Sequence, residues 1–93
     1  MHVADLTLEL AMCPASRCPA ILDLRLRCDP SRAFLVQFNN TRGDPVKKLA
    51  SSWFPALHFD IHSRRASAML VRCAGEGIEA RLLGDAEKAT WRR

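Results

Sequence analysis

Leu6, Leu8, Leu10 and Met12 alternate with Asp5, Thr7, Glu9 and Ala11, and Leu22, Leu24, Leu26 and Cys28 alternate with Asp23, Arg25 and Arg27. Period two over runs of this length puts one set of side chains on a buried face and the other in water. The same alternation sets Phe34, Val36 and Phe38 against Leu35, Gln37 and Asn39, and Leu57, Phe59 and Ile61 against His58, Asp60 and His62. A first hairpin is expected to join residues 3–12 to 20–28, its strands ended by Pro14 and Pro19, which lack a ladder donor. Its wet face would set Asp5 beside Arg27 and Glu9 diagonal to Arg25. Such cross-strand pairs contribute about 0.2–1 kcal/mol each. Asp29-Pro30-Ser31 reads as a turn, and a second hairpin joins residues 66–73 to 77–83 through Ala74-Gly75-Glu76-Gly77.

One segment has a different period. Asp44 and Pro45 open a helix, and Val46, Leu49, Ala50, Trp53 and Phe54 fall at the i, i+3, i+4, i+7 and i+8 positions of one face before Pro55 stops it. Asp85 is placed to cap a short last helix that tucks Trp91 against the rest. The chain reads as a single domain, residues 1–93, of the α+β class. Its mostly antiparallel, one-sided sheet has five to six strands, with one main helix (about 45–54) on the apolar face and a short C-terminal helix. One helix about 10 Å across shields roughly two strands, leaving apolar sheet to be covered. The expected solution is a homodimer, with sheet curvature and the last helix as the alternatives.

Composition narrows the functional classes. With 48% hydrophobic and 26% charged residues in 93, the chain is an ordinary globular domain, and no apolar run approaches the roughly 20 residues of a membrane span. Asp5 and Glu9 interrupt what would be the start of a signal peptide, so a cytoplasmic protein with reduced cysteines is expected. The net charge is +4, but the 14 basic residues are scattered. Tyrosine is absent, and Phe34, Phe38 and Phe59 fall on the core side, which argues against a base-stacking platform and makes nucleic acid an unexpected partner. No phosphate-binding glycine loop or serine-nucleophile motif is present.

Four groups of residues carry candidate chemistry. His58, Asp60 and His62 share one face of a strand and form the ligand set of zinc and non-haem iron sites. Steps of about 6.5–7 Å along a strand favour two of them plus a ligand from a neighbouring strand. Arg42, Gly43, Lys47 and Lys48 surround a helix start, where free amide donors attract anions, although Asp44 competes for those donors. Trp53 and Phe54 would line a cavity beside the main helix, suited to a small apolar ligand or a protein partner. Cys13 and Cys18 sit at the hairpin mouth, close enough to form a disulfide under oxidising conditions, while Cys28 and Cys73 read as small buried hydrophobes.

The segment from Leu24-Arg25 through Cys28-Asp29-Pro30 to Ala33-Phe34-Leu35-Val36 resembles a strand-turn-strand of the actinobacterial sporulation and cell-division regulators. The resemblance covers that hairpin alone. Cys28 stands where that family has tyrosine, and its tryptophan-and-arginine helix signature has no match around Trp53, so no membership follows. The leading expectation is a small ligand-binding or protein-interaction module, homo-oligomeric and without evident catalytic machinery or a required cofactor. A small metal-dependent enzyme using zinc or iron at His58, Asp60 and His62 is the rival, and a weak nucleic-acid or anion binder the third.

Overall fold

In the computed structural model, residues 2–9, 17–39, 45–55, 57 and 66–91 are described. They form, in order, β1 (His2–Glu9), α1 (Cys18–Leu26), β2 (Arg32–Asn39), α2 (Val46–Trp53), β3 (Ala68–Ala74), β4 (Gly77–Leu83) and α3 (Asp85–Trp91). The α+β class of the sequence reading holds. Its second strand does not, because residues 18–26 are helical.

The reason lies in two positions. Leu22 and Leu26 satisfy period two and period 3.6 alike, so they cannot discriminate between strand and helix. Cys18 and Leu24 can. Cys18, at i−4 from Leu22, is buried with Leu22 and Leu26, whereas Leu24, which a strand would bury beside them, is 59% exposed. Pro19 stands in the first turn of α1, where its missing N–H costs nothing.

A helix between two strands returns the chain to the end from which it started, so β1 and β2 pair in parallel. Ala4 lies opposite Phe34, Leu6 opposite Val36 and Leu8 opposite Phe38. This parallel register replaces the antiparallel hairpin expected to set Asp5 beside Arg27 and Glu9 diagonal to Arg25, and Asp5 accepts two hydrogen bonds from Gln37 Nε2 at 3.0 and 2.9 Å. β2 pairs antiparallel with β3, and β3 with β4, giving a mixed sheet of order β1-β2-β3-β4. Among the described residues the sheet has four strands rather than five or six. The expected strand at 57–62 lies, apart from Leu57, outside the described residues. Gly75, with φ +58°, takes the first of the two hairpin positions between Ala74 and Gly77, a conformation that costs glycine nothing.

Both faces of the sheet are apolar at its centre. On one, Leu8, Phe34, Val36, Met69, Val71 and Leu82 pack against Cys18, Leu22 and Leu26 of α1 and Val46, Ala50 and Trp53 of α2. The Trp53 ring meets Phe38 at 5.4 Å between centroids. On the other, Ala33, Leu35, Ala68, Leu70 and Leu83 form a smaller cluster with Val3 and Trp91, so Trp91 does tuck the last helix against the sheet. The sheet is thus two-sided at β2 and β3, whose consecutive buried residues break the alternation. With α1 a helix, the larger face is packed by two helices rather than one. Among the described residues no helix is long and apolar enough to cross a membrane.

The helical assignment of α1 predicts unequal costs for two leucines that a strand would treat alike. Leu22→Ala should lower the free energy of unfolding in urea by about 2–5 kcal/mol, and Leu24→Ala by no more than about 0.5 kcal/mol.

Candidate functional site

The C-terminal ends of α1 and α2 and the β3–β4 hairpin surround an open cavity of about 420 Å³. That is within the size range of small-molecule sites. Leu26, Trp53, Phe54, Leu57 and Ile78 supply its apolar wall. Asp23, Arg27 and Glu76 bring charge to its lining, and Cys28 and Cys73 bring two thiols.

Each wall follows from local structure. α2 ends where Phe54 leaves the helical conformation, its N–H still donating to the Ala50 carbonyl at 2.9 Å, and the Leu57 N–H donates to the Phe54 carbonyl at 3.1 Å. This tight exit before and after Pro55 turns Phe54 and Leu57 toward the cavity that Trp53 already lines. α1 ends differently. Arg27 donates to the Asp23 carbonyl at 3.0 Å and Asp29 to the Leu26 carbonyl at 2.9 Å, while Arg27 and Cys28 adopt φ values of 25° and 55°. Two consecutive non-glycine residues in the left-handed region cost on the order of 1–2 kcal/mol each.

The next turn offsets that strain. The Asp29 carboxylate accepts from the Ser31 hydroxyl and, at 3.0 Å, from the Ser31 N–H, and Arg32 donates its N–H to the Asp29 carbonyl at 3.2 Å. The Ser31 hydroxyl, then the Ser31 amide, hold the Asp29 carboxyl below its ordinary value, with a smaller contribution from the Arg32 charge and partial opposition from desolvation.

Cys28, exposed at this exit, faces Cys73, buried near the end of β3. Both are free thiols. The hydrogen bond between them, then burial, then the negative charge of Cys28 and Asp29, push the Cys73 thiol up from its ordinary value. The reading of Cys28 as a buried hydrophobe is thereby corrected: it shares a side with Leu26 in a strand, but α1 ends between them and the left-handed exit carries Cys28 outward. Cys73 keeps its buried place. Their meeting was not legible in the sequence, since it depends on α1 being a helix and on two non-glycine residues adopting positive φ.

Of the other candidates, Trp53 and Phe54 both line this cavity. Lys47 and Lys48 occupy the first turn of α2, at the opposite end from the cavity, and Arg42 and Gly43 lie outside the described residues. His58, Asp60 and His62 also lie outside them, and among the described residues no group of three or more histidine, cysteine or acidic side chains is placed to hold a metal ion. Cys18 is buried in the first turn of α1 and disulfide-bonded, which corrects the expectation of reduced cysteines at that position, while Cys13 lies outside the described residues.

Comparison with protein-family profiles, with curated proteins and with solved structures found no match to this chain. Its functional reading therefore rests on its own geometry.

A lowered carboxyl value stabilises the fold while the group is ionised, and that contribution is lost as pH falls through the folded-state value. Asp29, lowered from 3.8, should place part of the acid sensitivity of this protein below that pH. Asp29→Asn is expected to reduce stability at neutral pH and to flatten the acid limb of the unfolding free energy, followed by urea titration at a series of pH values. An unchanged acid limb would show that the turn contributes nothing.

Proposed function

We propose that this chain is a binding module for a small apolar molecule, held in the cavity between the ends of α1 and α2. The observation that carries the reading is the cavity itself, about 420 Å³ of open space with an apolar wall that includes Trp53 and Phe54. A hydrophobic hollow with few polar groups is the ordinary form of a small-molecule site.

Electrostatics narrow the ligand. Both helices present their C-terminal ends to the cavity, and helix C-termini carry partial negative charge on their unpaired carbonyls. Asp23 and Glu76 add two formal negative charges against one positive charge on Arg27. An anionic ligand is disfavoured there, and a neutral or cationic one is accepted. The size suits a ring system or a short branched chain, burying most of its surface against Trp53, Leu57 and Ile78.

The test uses a neutral dye, N-phenyl-1-naphthylamine, on a Trp91→Phe variant, which leaves Trp53 as the sole tryptophan because the chain has two. Energy transfer from Trp53 to the dye should saturate at one site. Ile78→Arg should weaken binding at least about tenfold, a loss of about 1.4 kcal/mol, while Leu24→Lys, outside the lining, should leave it unchanged. Absence of saturable transfer, or equal affinity in Ile78→Arg, would contradict the proposal.

A further inference from the structure

The two thiols on the cavity are unequal in a way that suits a specific chemistry. Cys28 is exposed on the strained exit of α1, open to an incoming molecule, and Cys73 is buried behind it on β3. They are 45 positions apart in sequence, so only the fold brings them together. We propose that Cys28 and Cys73 form a reactive dithiol that reduces small neutral disulfides admitted by the cavity, with Cys28 as the attacking and Cys73 as the resolving thiol.

The reaction balances in two exchanges. Cys28, having lost its proton to water, attacks one sulfur of the disulfide, whose S–S bond breaks; the first thiolate leaves and is protonated by water. Cys28 then carries a mixed disulfide. Cys73 loses its proton and attacks Cys28 Sγ, displacing the second thiolate, which takes up a proton in turn. The disulfide gains two electrons and two protons and becomes two thiols, and the protein dithiol becomes a Cys28–Cys73 disulfide.

The surroundings order these steps. Both thiols line the cavity, Cys28 exposed and Cys73 buried, and the hydrogen bond to Cys28, then burial, push the Cys73 thiol up. Cys73, shielded from solvent by burial, shares the cavity with Cys28 and meets an incoming disulfide only through it. Exposure gives the first step to Cys28, since a buried thiol is shielded from a substrate in solution. The choice of a small neutral disulfide rests on the cavity reading above, whereas the dithiol itself rests on the thiol pair, so failure of dye binding and failure of thiol exchange are distinguishable.

The experiment treats the protein, its Cys28 and Cys73 thiols reduced, with bis(2-hydroxyethyl) disulfide, and measures 2-mercaptoethanol release and the peptides linked afterwards. The wild-type chain should release two equivalents and yield a peptide joining Cys28 to Cys73. Cys73→Ala should stop at one equivalent with the adduct on Cys28, and Cys28→Ser should react at least about tenfold more slowly. Retention of the adduct on wild-type Cys28 without the linked peptide would overturn the proposal, as would equally rapid modification of Cys73 in Cys28→Ser. The peptide map of the wild-type chain decides the matter even if a variant fails to fold.

Discussion

The parallel pairing of β1 with β2 is the constraint on which the rest of this structure depends. Two neighbouring strands that run in the same direction cannot be joined by a tight turn, so the intervening chain must cross the sheet. Here it does so as α1, and burial of Cys18, Leu22 and Leu26 against the sheet fixes where the helix lies. Once α1 occupies that place, α2 covers the remainder of the same face through Val46, Ala50 and Trp53. The two helices complete a core that one helix could not.

The cavity follows from how these helices end. Neither stops on a glycine: α1 leaves through Arg27 and Cys28 with positive φ, and α2 through Phe54 before Pro55. The Asp29–Ser31 turn fixes the first exit by hydrogen bonds that also lower the Asp29 carboxyl. Apolar side chains from both exits face the β3–β4 hairpin, and the space between them is left unfilled. The same exit that costs backbone strain sets Cys28 beside Cys73. Strain and thiol pair follow from one helix terminus, and the cavity from both.

Much of this was readable from the residues themselves. Pro45 and Pro55 bracket a segment with helical spacing, and α2 spans Val46–Trp53, one residue shorter at each end than the expected 45–54, with Pro45 as its N-cap and Phe54 already outside it. Gly75 marks the hairpin, and Asp85 and Trp91 mark the last helix and its contact. Trp53 and Phe54, at the end of an amphipathic face just before a proline, line the cavity. Residues 20–28 misled because Leu22 and Leu26 fit either period, and the alternation with charged residues favoured a strand. Burial on both sides of β2 was hidden in Phe34-Leu35-Val36, three apolar residues in succession, of which alternation uses only two. The approach of Cys28 to Cys73 had no local signature, since it is set by tertiary placement.

The central claim, that α1 is a crossover helix between parallel strands, is tested most directly by nuclear magnetic resonance of the labelled chain. The account predicts helical carbon chemical shifts across Cys18–Leu26 and cross-strand nuclear Overhauser contacts of Leu6 with Val36 and Ala4 with Phe34. Extended shifts across residues 20–28, with contacts from Asp5 to Arg27 in an antiparallel hairpin, would contradict it.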